Sequence, residues 1–105
     1  MSEPRLTRRD ENTECSERAL RATLSSEGLA PYAWGNPPGD AYPPHRHTFS
    51  KILVCVVGSI RIDLVDIGTS IDLAPGDRLD LPAGILHAAS VGAEGVTCLE
   101  AHRNH

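Results

Sequence analysis

The sequence predicts an all-β fold, an antiparallel sandwich or barrel preceded by a short helix. Three observations carry this. From Lys51 onward, apolar residues alternate with polar ones in short runs, the period of a half-buried strand. Gly- and Pro-containing clusters punctuate those runs at short intervals. Pro31, Pro37, Pro38, Pro43 and Pro44 forbid a helix in the stretch just before them.

At 105 residues the chain has the size of one domain with its own core. We divide it into residues 1-28, a polar tail and short helix, and residues 29-105, the β domain. The net charge of −4 and the lack of a basic cluster argue against a nucleic-acid partner. No apolar run approaches the roughly 18 residues that span a bilayer, so no membrane partner is expected. The N-terminus is polar, unlike a signal peptide, and the expected location is cytoplasmic. Three cysteines, an odd number, fit reduced thiols, with Cys55 and Cys98 in apolar runs as core residues.

In chain order, residues 1 to about 12 read as a loose tail. From about Thr13 to Glu27 the pattern suits a helix, with Ala19, Leu20 and Leu24 on one stripe and Gly28 ending it. Its apolar stripe is expected against the outside of the barrel or against a second subunit. Tyr32-Ala33-Trp34 reads as a brief strand before a Gly/Pro loop. Ile52 to Val57 is a strand closed by Gly58-Ser59, and Ile60 to Val65 is the next. Ile71 to Leu73 follows the turn at Gly68, and Leu79 and Leu81 alternate after Pro75-Gly76-Asp77. His87 to Val91 forms a further strand, Gly92 to Gly95 a turn, and Val96 to His102 the last strand.

The chemistry centres on His45 and His47. In an extended chain, residues two apart share a face, so both imidazoles point the same way, followed by Phe49, Lys51, Leu53 and Cys55. Histidine is the commonest metal ligand near neutral pH, but a His-x-His alone is weak evidence. The spacing around it is more specific. Gly39 is followed after five residues by His45-x-His47, after three more by Lys51, and after six more by Gly58. A second block runs from Gly76 through five residues to Pro82-x-Gly84, then two residues to His87.

These two blocks resemble the paired motifs of the cupin superfamily, over roughly residues 30 to 103. Two positions depart from the pattern: Lys51 stands where glutamate is usual, and Val91 where asparagine is usual. The resemblance implies a small antiparallel jelly-roll barrel, often a homodimer. It also implies a divalent metal ion (Fe, Mn, Ni, Zn or Cu) held by His45, His47 and His87. Three imidazoles leave coordination positions open for water or a small-molecule substrate.

Lys51, the one lysine of the chain, cannot replace the glutamate, because an ammonium has no lone pair. Two readings follow. Either a three-histidine centre persists, with Lys51, the candidate catalytic residue, turned toward an acidic group or a substrate carboxylate. Or the barrel binds a small ligand without metal. Parity on the last strand leaves Glu100 and His102 open. Glu100 is expected as a solvated rim residue, with pairing to Lys51 as the alternative. Tyr32, Trp34 and Tyr42 either pack in the core or wall a pocket, and Arg103 and His105 are expected to be uninvolved. Asp77, Arg78 and Asp80 read as structural. An enzyme acting on a small, possibly acidic, organic molecule, a non-catalytic ligand-binding or sensing barrel, and a structural protein all remain compatible with these residues.

Overall fold

The computed structural model describes residues 3–12 and 14–103. Thr13, where the sequence reading begins the helix, and His105 lie outside the described residues. The elements in chain order are β1 (Arg5–Thr7), α1 (Glu17–Ser26), β2 (Tyr32–Asn36), β3 (Ala41–His45), β4 (Ser50–Leu64), β5 (Thr69–Leu73), β6 (Arg78–Leu81) and β7 (His87–Arg103). All strand pairs are antiparallel. The expected all-β antiparallel barrel with one short helix is therefore the observed fold.

Two long strands organise it. β4 and β7 pair along their whole length, from Ser50 opposite Arg103 to Leu64 opposite His87. Near one end of this ladder β4 carries β6, which in turn carries β1, while β7 carries β2. At the other end β4 carries β5 and β7 carries β3. The sequence reading cuts each long strand in two, at Gly58-Ser59 and at Gly92 to Gly95. The structure corrects this: the chain does not turn there but bulges, with register shifts between Cys55 and Val57 and between Gly58 and Ile60. Bulges bend a strand and raise its twist, which lets one ladder curl around an interior. Gly58 has φ +80°, and a Cβ there would lie 2.0 Å from the carbonyl oxygen of Gly95. Turn and bulge draw on the same residue type, so glycine alone does not tell them apart.

The tail is the second correction. Residues 1 to 12 are not loose throughout, because Arg5–Thr7 pairs with β6 in register, Leu6 opposite Leu79. Asp77 anchors the segment that follows: it accepts from the Arg9 backbone N–H at 2.9 Å and from Arg8 at 2.8 Å. It also accepts from the Ala74 N–H, closing its own turn. The prolines of β3 are tolerated because this strand lies at an edge and pairs only with β7.

The core has two compartments, which is why Ile52 to Val56 is buried without alternation. Leu53, Cys55, Ile60, Ile62, Leu79 and Cys98 face the barrel interior. Ile52, Val54, Val56 and Leu99 face outward and are covered by Leu24 and Leu20 of α1 and by Leu29. The helix thus docks on the outside of its own barrel. It begins later than the sequence suggests, at Ser16, whose Oγ caps the Ala19 N–H at 3.1 Å. Just beyond its other end Glu27 takes a two-pronged hydrogen bond from Arg78 of β6, at 2.6 and 2.9 Å.

Candidate metal centre

His45 is the last residue of β3 and His87 the first of β7, and the ladder sets them directly opposite each other. His47 follows in the connection to β4. Its carbonyl accepts the N–H of Gly84 at 2.8 Å, so the turn of the second sequence block is tied to the first. Gly84 makes that turn with φ +83°. The three rings gather, with centroids 4.3 Å apart for His45 and His87, 4.8 Å for His45 and His47, and 5.4 Å for His47 and His87. One nitrogen from each lies within 4.8 Å of the others.

The tautomers follow from the partners. His45 Nδ1 meets the Pro43 carbonyl at 2.8 Å and His87 Nδ1 meets the Ile85 carbonyl at 2.9 Å. A carbonyl can only accept, so both Nδ1 atoms carry a proton, and in the neutral ring the lone pair is left on Nε2. His87 is 3% exposed, and its Nε2 is buried with no hydrogen-bond partner among the described residues. A backbone acceptor on one imidazole nitrogen with the other left bare is the arrangement that orients a metal ligand. Burial, followed for His47 by the charge of Lys51, holds His47 and His87 below the usual imidazole pKa, so both favour the neutral form a metal needs. The residues therefore fit a divalent ion.

Lys51 points into the same space. Its Nζ lies 3.3 Å from Oε1 of Glu100, with the lysine side chain 15% and the glutamate side chain 10% exposed. Glu100 is buried, not the solvated rim residue expected from sequence. Its carboxylate also accepts from Tyr32 Oη at 2.6 Å, Trp34 Nε1 at 2.9 Å and His102 Nε2 at 2.6 Å. Burial opposes its charge, but the hydrogen bonds of Tyr32 and His102 and the charge of Lys51 prevail and hold its pKa below the usual value. Burial and the Glu100 hydrogen bond push Tyr32 up to about 12. Glu100 does not join the histidine cluster. His102 is exposed, and its ring packs on Phe49 at 4.1 Å, which in turn stacks on His47 at 4.8 Å.

A cavity of about 230 Å³ opens between these groups. The three histidines, Lys51 and Glu100 line its polar side; Trp34 and Tyr42 wall it, together with aliphatic side chains. Tyr42 is steadied by a hydrogen bond to Asn36, which donates in turn to Asp40 at 2.9 Å. Sequence reasoning omitted Ile60, Ile62 and Ala89 from this wall. The alternation Ile60-x-Ile62 signalled an inward face but not what lies across from it. Cys55 and Cys98 are fully buried outside the cluster, and burial pushes both thiols up to about 12, so neither serves as a nucleophile.

A barrel of two bulged long strands with three histidines converging at one mouth defines a class of β-barrel, and solved structures give it a name. The cupin superfamily protein from Desulfitobacterium hafniense superposes with a TM-score of 0.64 at 19% identity, over 73% of this chain and 68% of that one. The DMSP lyase DddQ from Ruegeria pomeroyi superposes with a TM-score of 0.65 at 29% identity, over 72% of this chain. The match spans only 38% of that lyase. The polyketide cyclase RemF from Streptomyces resistomycificus gives a TM-score of 0.62 at 22% identity, over 70% of this chain and 54% of the cyclase. No protein-family model matches the sequence, and no curated protein matches it. The chain has the fold of the small cupins.

Proposed function

We propose that this cupin holds a divalent metal ion on His45, His47 and His87 and acts on a small organic molecule admitted to the cavity beside them. The observation that carries the reading is the bare, buried Nε2 of His87, set among three imidazoles whose donors lie within 4.8 Å of one another. A buried nitrogen lone pair without a partner is costly unless something occupies it. A bound divalent ion supplies Lewis-acid polarisation of a ligand oxygen, or activation of a water. The chain's own residues do the rest: the Pro43 and Ile85 carbonyls fix the ligand tautomers, Trp34 and Tyr42 shape the cavity, and Lys51 brings a positive charge to it. The names of the DMSP lyase and the polyketide cyclase support small-molecule chemistry on this fold without selecting a substrate.

Lys51 also supports a second reading, a barrel that binds a small ligand without turnover and with or without metal, since a cation stands where a fourth ligand is usual. Elemental analysis of untagged protein purified without chelator, beside the His45→Ala, His47→Ala double variant, separates the two. Near-stoichiometric iron, manganese, nickel, zinc or copper that disappears in the variant is the expected result. Protein that stays metal-free after reconstitution overturns the metal centre and leaves the ligand-binding barrel.

A further inference from the structure

We propose that the ligand of this cavity is a small monocarboxylate and that the Lys51 ammonium is the group that grips its carboxylate. The inference rests on the reading of the histidine cluster as a metal site for a small organic molecule, and it names the class of that molecule.

A carboxylate offers about four acceptor positions, and an ammonium three donors with no acceptor. Tyr32, Trp34 and His102 already donate to Glu100, at 2.6, 2.9 and 2.6 Å. Lys51 stands beside it as an ion pair, at the longer distance of 3.3 Å, and Glu100 is its one acidic partner among the described residues. Glu100 is thus nearly saturated, whereas Lys51 is left with donors to spare at the wall of a cavity it lines. A half-buried ammonium with unfilled donors favours an anionic oxygen over a neutral one.

Charge balance points the same way from a different side. Lys51 and Glu100 cancel within the cavity. The three candidate ligands are imidazoles, neutral when they bind, so a divalent ion held by them keeps both its charges. In a glutamate-bearing set one of those charges would be met by the protein. Here only the incoming ligand can meet it, and a carboxylate can face the ion and Lys51 together.

Size and lining set the remainder of the molecule. About 230 Å³ falls below the roughly 300 Å³ at which pockets for drug-sized ligands begin. Leu53, Ile60, Ile62 and Ala89, with the Trp34 and Tyr42 rings, suit a hydrocarbon or single-ring tail. A short aliphatic or benzoic-type acid fits this description.

The test titrates the full chain, metal-free and zinc-loaded, with butyrate and benzoate and with the neutral isosteres butyramide and benzamide, following amide chemical shifts by NMR. The acids are expected to bind at least tenfold more tightly than the amides in both forms. In the metal-free form Lys51→Met should erase that preference and Lys51→Arg should retain it, with thermal unfolding checking that each variant folds. Equal affinity of acid and amide for the natural chain overturns the proposal even if no variant folds, as does an undiminished preference in metal-free Lys51→Met or no binding of any probe. Metal content, measured separately, keeps the two readings apart: an acid preference without uptake of zinc, iron, manganese, nickel or copper sinks the metal centre and leaves the Lys51 anchor standing.

Discussion

Lys51 Nζ and Glu100 Oε1 sit 3.3 Å apart at the wall of the histidine-lined cavity, yet the two residues depend on each other unequally. Glu100 has three further donors, and Lys51 has no other acidic partner among the described residues. Removing one member of a buried pair strands the other, unless further donors satisfy the group left behind. Glu100→Ala should therefore destabilise the fold by about 3 kcal/mol, since it also orphans the Trp34 N–H. Lys51→Met should lose about 1 kcal/mol or less. Urea unfolding of the two variants decides it, and equal losses would show that the three other donors do not sustain Glu100.

This pair also marks where the sequence stops being legible. Cys98 and Leu99 are both fully buried, one inside the barrel and one under α1, so parity along β7 gives no preferred answer for Glu100. The long strands were hidden for a related reason: Gly58 and Gly95 look like turn residues, but the close approach between them makes a bulge. β1, three residues long, has too little pattern to be seen before its partner β6 is known. The histidines were legible because spacing alone carries them. His45 and His47 flank a strand end, and the Pro82-x-Gly84 turn delivers His87 opposite His45.

The glycines offer a direct comparison. Gly58 and Gly68 both have positive φ, +80° and +74°, but only at Gly58 would a Cβ strike backbone, 2.0 Å from the Gly95 oxygen. Gly68→Ala should lose about 1–2 kcal/mol from the left-handed backbone alone. Gly58→Ala should lose clearly more, or fail to fold, because the β4–β7 crossing must open. Melting temperatures measured side by side test this, and a similar drop in both would remove the bulge from its role in closing the barrel.

Acid stability should depend on Asp77. Burial opposes its charge, but the N–H groups of Ala74 and Arg9 and the Arg8 guanidinium outweigh that and hold its pKa below the usual carboxylate value. A group depressed in the folded state stabilises above its unfolded pKa, near 3.9, and that contribution is lost as pH falls through the folded value. Asp77→Asn should lose about 2 kcal/mol at pH 7 and show a shallower decline below pH 4. An unchanged acid limb in the variant would assign acid unfolding to other carboxylates.

The thiols should divide by burial. Cys55 and Cys98 are fully buried with their thiols pushed up to about 12, so at pH 8 they are both inaccessible and protonated. Cys15 is only half-buried, near the start of α1. Native protein should therefore consume one equivalent of an aromatic disulfide reagent and denatured protein three. Fast reaction of a second thiol in the native state would mean that the β4–β7 ladder opens near Cys55 and Cys98, which face each other in register.

Metal binding should appear as stability, independent of any reaction. An ion that binds only the folded chain stabilises it by RT ln(1 + [L]/Kd), about 2.7 kcal/mol at a hundredfold excess over Kd. For a domain of this size, about 1 kcal/mol corresponds to roughly 4–8 °C, so saturating zinc should raise the melting temperature by ten degrees or more. His87→Gln should abolish the rise, because it removes the buried Nε2 that has no partner within the described protein. It should also change the stability of the metal-free chain by less than the zinc effect, since the Nε2 it removes makes no hydrogen bond and the only one lost is that of Nδ1 to the Ile85 carbonyl. A zinc-induced rise that survives His87→Gln would place the ion elsewhere, and a natural chain indifferent to zinc, manganese, iron, nickel and copper alike would show that these three imidazoles line a cavity without holding a metal.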